Sequence, residues 1–314
     1  MSVLPHTPAD TAGQYSHEAF LYAGAAEFLA GAMSFIGPAL AAGDPVLALL
    51  SGPKIGMLRR ELGAAAGRIS FADMADVGAN PARITGEWWR FAQAHAGAAR
   101  LHGIGEAMSP DRSAAEIGEC ELYEALLNVA FDPATPLRLV CPYDLATLTA
   151  DVVEEAQRNH PFLTSGPDRE ACSRFQPIDP AEPYARPLPD RPADVACLPF
   201  QRGGLGHLRA YVAAWARGAG LGERPATSLV AAVNEVATNS LLHGGGLGEL
   251  RVWTDGGSLL CEVCDRGHLT QPMAGRLPPA EDDRAGLWLA HQLTDLVQIH
   301  SAAGRTAIRI HQRL

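Results

Sequence analysis

The chain has 314 residues, 47% apolar and 19% charged, with a formal net charge of −10. This length accommodates two domains of ordinary size, the composition excludes a disordered chain, and the acidic balance argues against generic nucleic-acid binding. Lys54 is the only lysine, so any phosphate contact in the second half falls to arginine, backbone amides or a metal. The opening MSVLPHTPAD has no basic region followed by an apolar core, and no apolar run approaches ~18 residues free of Gly, Pro or charge. The expectation is a cytoplasmic protein with reduced thiols, no membrane contact and no direct nucleic-acid partner.

In chain order, Pro45 to Leu50 is a continuous apolar run that fits a strand buried on both faces, followed by a helical pattern through Leu58 and Leu62. Pro81 to His95 is predicted as a helix with Pro in its first turn. The two rings of Trp88 and Trp89 cannot share a helix face, so one is expected in the core and the other in a pocket or interface. Ala99 to Glu106 reads as a strand, Arg112 to Ala130 as a helix, Leu137 to Cys141 as a strand and Leu145 to Asn159 as a helix. This alternation predicts an α/β layer domain over about residues 14–174 with a mainly parallel sheet.

Residues 175–194 hold six prolines, which remove amide donors and favour extended backbone, so they read as a semi-rigid linker. Beyond it, over about residues 195–314, the pattern changes. Gly203 to Arg217 and Pro225 to about His243 read as helices, and Glu249 to Thr254 and Leu259 to Cys264 as strands joined at the turn Asp255-Gly256-Gly257. After a long loop from Gly267 to Asp283 come a helix at Leu287–Thr294, with Trp288 expected in the core, and strands at Leu296–Ser301 and Thr306–Gln312. Helices grouped with hairpin strands predict an α+β sandwich. Cys261 and Cys264 have no second pair to complete a zinc site and read as strand thiols.

Chemistry concentrates in this second half. Glu235, Asn239 and His243 are spaced four apart and stack along one side of their helix. A carboxylate one turn from a carboxamide suits a magnesium ion and a hydroxyl, although a solvated polar face gives the same spacing. Asp265 at a strand end, with Gly267 two residues on, can accept from a base amino group while the glycine admits close approach. The helix start at Gly286-Leu287 offers free amides to phosphate, and Thr306 offers a hydroxyl.

The ordered motifs VNEVATNSLLHG, CDRG, AGLWLAHQLTD and GRTAIRIHQRL resemble the GHKL ATPase superfamily, in particular the anti-sigma-factor serine kinases of the RsbW and SpoIIAB type. The resemblance spans the second domain and implies a Bergerat ATP-binding fold with ATP and Mg²⁺. It implies Glu235 as general base and a second candidate metal ligand, Asn239 as the Mg²⁺ ligand, and Asp265, Gly267 and Thr306 at the adenine. Gly286 and Leu287 would lie at the phosphate end; His243 is either a site residue or a helix-end packing residue. The expected activity is phosphoryl transfer to a serine of an anti-anti-sigma (STAS) protein, with a sigma factor as second partner and a homodimer as a common state. Where the family has Gly-x-Gly-Leu, this chain has Arg284 at the first glycine position. That arginine either crowds the phosphate or contacts it. Alternative functions are a non-catalytic anti-sigma switch with weak ATP binding and a histidine-kinase-like ATPase. Against the last, His207 is followed by Leu208 rather than an acid.

In the first domain, HEAFLY, GDPVLALLSGP, GIGEAMSPDRS, YEALLN and CPYD resemble the MEDS sensory domain over about residues 14–165. That resemblance implies a RecA/KaiC-like α/β module and a small organic or hydrocarbon-like ligand. Lys54 precedes Gly56 and no Ser or Thr follows, so the loop after the first buried strand lacks the nucleotide-binding pattern. His17, Tyr22, Glu106, Glu124 and Tyr143 are the candidate ligand-facing residues.

Overall fold

The computed structural model describes residues 14–165, 168–279 and 285–314. They fall into two compact units, residues 14–78 with 87–178 and residues 79–86 with 179–314.

The first unit is built from β1 (Ser16–Tyr22), α1 (Gly24–Ala42), β2 (Val46–Leu50), α2 (Gly52–Leu62), β3 (Ile69–Asp73), α3 (Met74–Val77), α4 (Ile84–Ala94) from Glu87 onward, β4 (Leu101–Gly105), α5 (Ala114–Ala130), β5 (Leu137–Asp144), α6 (Ala150–Asn159), β6 (Phe162–Ser165) and β7 (Asp168–Ala171). The strands form one sheet in the order β3-β2-β4-β5-β1-β6-β7. All neighbours are parallel except β6 and β7, so the expected α/β layer is present with an antiparallel edge. Val46 to Leu50 are all buried, as a strand covered on both faces requires.

Helix α1 escaped the sequence reading because Ala and Gly dilute its pattern and Pro38 interrupts it. Its buried residues Phe28, Gly31, Ala32, Phe35, Ile36, Ala39 and Leu40 nevertheless recur at helical spacing, and Gly43 closes it in the left-handed region. By length and composition alone, α1 is apolar enough to cross a membrane. Its apolar stripe here packs in the core against Phe20, Ala48 and Ile104. Trp88 is fully buried and its Nε1 donates to Tyr123 Oη at 2.8 Å. Gly103 and Gly105 make room for it, because a methyl group on Gly105 would come 2.5 Å from the indole. Trp89, half-buried, lines a surface hollow with Leu101 and Phe131.

The second unit contains β8 (Cys197–Gln201), α7 (Leu205–Gly218), α8 (Glu223–His243), β9 (Leu247–Asp255), β10 (Ser258–Asp265), α9 (Gly286–Leu293), β11 (Leu296–Ala302) and β12 (Arg305–Arg313). Its antiparallel sheet runs β11-β12-β10-β9-β8, which is the expected α+β arrangement plus an unforeseen edge strand, β8. Alternation divides the sheet cleanly. Leu250, Val252, Cys261, Val263, Ile308 and Ile310 share one buried face, while Glu262 and Arg309 pair in register on the other.

On that second face, both Nε and Nη2 of Arg309 donate to Glu262 Oε2, at 3.0 and 2.7 Å. Residues expected in the linker lie here too. Arg191 reaches Glu262, Arg309 donates to the Pro189 carbonyl, and the buried Tyr184 donates through Oη to the Pro272 carbonyl. Cys261 and Cys264 are three residues apart on a strand and point to opposite faces, so they cannot share a ligand. Trp288 is half-buried rather than core, because the inward side of the short α9 is taken by Gly286, Ala290 and His291.

Candidate functional site

Helix α8 carries the first part of the site. Leu229, Ala232, Val233, Val236 and Ala237 bury one face, and Glu235 and Asn239 flank it, half-buried and one turn apart. Gly286, buried at the first position of α9, faces both. A methyl group there would come 3.0 Å from Asn239 Nδ2 and 3.3 Å from Glu235 Oε2. A carboxylate, a carboxamide and a helix N-terminus without a side chain therefore meet in one place. Leu287 follows, half-buried, and packs against Gly275. His243 is exposed at the last position of α8. Arg284 lies outside the described residues.

A second cluster forms where α8 ends beside the end of β10. Asp265 is half-buried; its Oδ1 accepts from the Gly267 amide at 2.7 Å. Gly244 closes α8 directly against this carboxyl, and a methyl group on Gly244 would come 2.3 Å from Asp265 Cγ. Asp265 pairs in register with Thr306 on β12. The buried Thr306 hydroxyl donates to the Gly267 carbonyl at 3.1 Å and meets Ser301 Oγ at 2.8 Å. Ser301 Oγ in turn accepts from the Leu269 amide at 2.7 Å. Sequence reasoning missed Gly244 and Ser301. Gly244 is one of three consecutive glycines with no spacing to single it out, and Ser301 gains its partner only through strand pairing.

The geometry fits a nucleotide of the expected kind. Asp265 keeps one carboxylate oxygen beyond its bond to Gly267 for an exocyclic amino group, and Gly244 and Gly267 leave the space beside it open. Glu235 and Asn239 supply hard oxygen donors next to the α9 amides, where a polyphosphate and Mg²⁺ find both charge partners. Burial pushes the Cys261 thiol up to about 12, so it is an inert core group.

In the first unit the five candidate residues sort into two separate groups. Lys54 donates to Tyr22 Oη at 2.6 Å and pairs with Glu106, which also accepts from Ser51 Oγ at 3.2 Å. The Lys54 ammonium also stands 5.0 Å from the Phe28 ring. Lys54 is thus engaged by its own domain, and the Tyr22 hydroxyl is raised well above its ordinary value by burial and by Glu106.

The other group joins His17 and Glu124, with His17 Nε2 3.0 Å from Glu124 Oε2. Tyr143 is buried with its ring edge-on to His160 at 5.6 Å between centroids. Cys141 and His160 complete this group and were not singled out from sequence. Cys141 reads in sequence only as the end of a strand and the start of CPYD, and His160 as the residue after a predicted helix.

Comparison with known families places a match to the MEDS model, described as the methanogen/methylotroph, DcmR sensory domain, over residues 16–161. A second model, the histidine kinase-like ATPase domain, matches residues 198–311. Comparison with curated proteins gave no match. Among solved structures, the RsbU and RsbW domains of Rv1364c from Mycobacterium tuberculosis match at 18% identity and a TM-score of 0.29. That alignment covers 65% of this chain and 49% of the other, so the chain spans about half the length of that protein. The chain therefore carries a MEDS sensory domain followed by a histidine kinase-like ATPase domain.

Proposed function

We propose that the second domain is an ATP-dependent serine protein kinase of the anti-sigma type, working in the cytoplasm under control of the sensory domain. The observation that carries this reading is the convergence of Glu235, Asn239 and Gly286 at the start of α9, with the Asp265–Gly267–Thr306 network at the end of β10. The ATPase-domain match implies ATP binding. Asp265 and Gly267 would hold the adenine end, supported by Thr306, and Asn239 would hold Mg²⁺ against the phosphates. Magnesium, when bound, neutralises charge on the phosphate oxygens. Glu235 would accept the proton of a serine hydroxyl as that oxygen bonds to the γ-phosphorus and the bond to the leaving ADP oxygen breaks. Most of the acceleration then comes from positioning and charge neutralisation.

The substrate class is a serine on an anti-anti-sigma (STAS) protein, the second partner is a sigma factor, and the assembly is a homodimer. The sensory domain takes a small organic ligand. The test is transfer of γ-phosphate from labelled ATP to STAS proteins of the native host. Acid-stable phosphoserine that disappears in Glu235→Ala, with ATP binding retained, supports the proposal. Partner binding without transfer turns the reading to a non-catalytic switch. Acid-labile phosphate on the chain itself, lost in His207→Gln, turns it to a histidine kinase.

A further inference from the structure

Four chemistry-bearing side chains from four elements meet inside the first unit. His17 on β1, Glu124 on α5, Cys141 on β5 and His160 directly after α6 are each at most 1% exposed. Register explains the first pairing. Ala19 lies opposite Cys141, so His17 and Cys141 fall on the same face of adjacent strands. The four ligand-type atoms all lie within 4.8 Å of one another. His17 Nε2 is 3.0 Å from Glu124 Oε2 and 3.4 Å from Cys141 Sγ, and His160 Nε2 is 3.4 Å from Glu124 Oε2. Donors around a tetrahedral zinc ion stand roughly 3.3–3.6 Å apart, given Zn–N and Zn–S bonds of about 2.1 and 2.3 Å.

The surrounding hydrogen bonds fix which atoms carry protons. Asn128 Nδ2 faces three carbonyls, those of Glu124, Ala125 and Asn159, so its amide can be oriented only one way. Its Oδ1 therefore accepts from His17 Nδ1, at 3.2 Å. His160 Nδ1 likewise donates to the Ala156 carbonyl at 2.7 Å. Both imidazoles thus use Nδ1 as the donor to an oxygen, which leaves Nε2 as the ligating atom, and both Nε2 atoms aim at a carboxylate. His160 Nε2 is buried without a hydrogen-bond partner. Two imidazole nitrogens and a carboxylate converge in this buried interior with the Cys141 S–H as a weak donor beside them, an arrangement that a cation at the centre satisfies. An Nδ1–H bound to a carbonyl or amide oxygen is the outer-shell arrangement that orients metal-bound histidine.

We propose that His17, Glu124, Cys141 and His160 form a closed four-ligand site for a zinc-type divalent transition metal. Two imidazoles, one thiolate and one carboxylate suit zinc or its cobalt surrogate and not calcium or magnesium, which want oxygen throughout. Four protein ligands leave no open position, so the metal holds β1, β5, α5 and α6 together rather than performing catalysis. The site depends on neither the kinase reading nor the ATP site.

The test uses the tag-free full chain produced with zinc present. Elemental analysis is expected to find about one zinc per chain. Exchange for Co²⁺ is expected to give the visible bands of a tetrahedral ion together with a near-ultraviolet thiolate charge-transfer band. Cys141→Ser abolishes that thiolate band and His160→Gln weakens cobalt affinity by at least about tenfold, while Cys264→Ser changes neither. Should those variants not fold, the wild type still decides: prolonged chelation lowers the Tm of the sensory domain and zinc restores it. A chain that takes up neither ion and whose Tm ignores both chelator and zinc overturns the proposal. Cobalt bands that survive Cys141→Ser and vanish in Cys264→Ser also overturn it.

Discussion

Thr306 shows how much of the proposed nucleotide site hangs on single hydroxyls. Its Oγ1 ties Ser301 to the Gly267 carbonyl, and so fixes the loop that faces Asp265. Thr306→Val keeps the shape and removes both bonds. We expect a loss of about 1 kcal/mol in stability and weaker ATP binding, measured by urea unfolding and by nucleotide titration. Gly244→Ala acts by volume instead. Its new methyl group meets Asp265 Cγ at 2.3 Å, so the carboxylate must move. The cost is about 1–3 kcal/mol of overpacking, and ATP affinity falls more than in a substitution at the exposed His243. Unchanged affinity in Gly244→Ala would show that Asp265 does not need its present position. At this scale the sequence revealed residue types and order, and Glu235, Asn239, Asp265, Gly267, Gly286 and Thr306 were all legible as candidates. Gly244 and Ser301 were not, because nothing local to them shows that one lies beside a carboxylate and the other opposite Thr306.

On the sheet of the second unit, Glu262 is 2% exposed and its main charge partner is Arg309 on the neighbouring strand. Arg309→Met leaves that carboxylate in the interior with Arg191, at 3.2 Å, as its cationic partner among the described residues, and is expected to cost about 3–5 kcal/mol. Adding Glu262→Leu to it should recover most of the loss, which denaturant midpoints of the single and double variants will measure.

In the first unit His102 on β4 bonds Asp44 at 3.0 Å, beside the Phe35 ring and with Arg138 and Arg100 nearby. Burial is the main reason its ionisation lies below the ordinary value, with Asp44 opposing. The folded chain then binds fewer protons than the unfolded chain below about pH 6.5, so this contribution is intact above that pH and is lost as pH falls through it. Tm should be flat at higher pH and fall below about 6.5, with a shallower fall in His102→Gln. An identical slope in the variant would show that His102 does not set this pH dependence.

The elements themselves were mostly legible. Strand β2 announced itself as an unbroken apolar run, and the helices and strands of the second unit followed from their periodicity and turn signals. The sequence reading missed α1, whose stripe is carried by small residues, and the short edge strand β8. Edge strands pair on one side only and need little hydrophobic signature.

For the whole molecule, the division into an α/β sensory domain and an α+β ATPase domain came from a change of pattern across the proline-rich stretch. The placement of residues 184–191 on the second unit's sheet did not, since prolines signal extended backbone but not what it lies against. The chemistry divides in the same way. The sensory domain holds the buried His17–Glu124–Cys141–His160 cluster and engages its only lysine internally, while the ATPase domain holds the carboxylate–carboxamide pair and the Asp265 network.

Calorimetric titration of the full chain with ATP and Mg²⁺ tests nucleotide binding at that network most directly. Wild type should bind one nucleotide. In Asp265→Asn the carboxylate acceptor gives way to an amide that can turn a donor toward the base, so affinity should fall by roughly 10–150-fold, the equivalent of one charge-assisted hydrogen bond. Binding of equal strength in both proteins, or no binding by the wild type, would contradict the site.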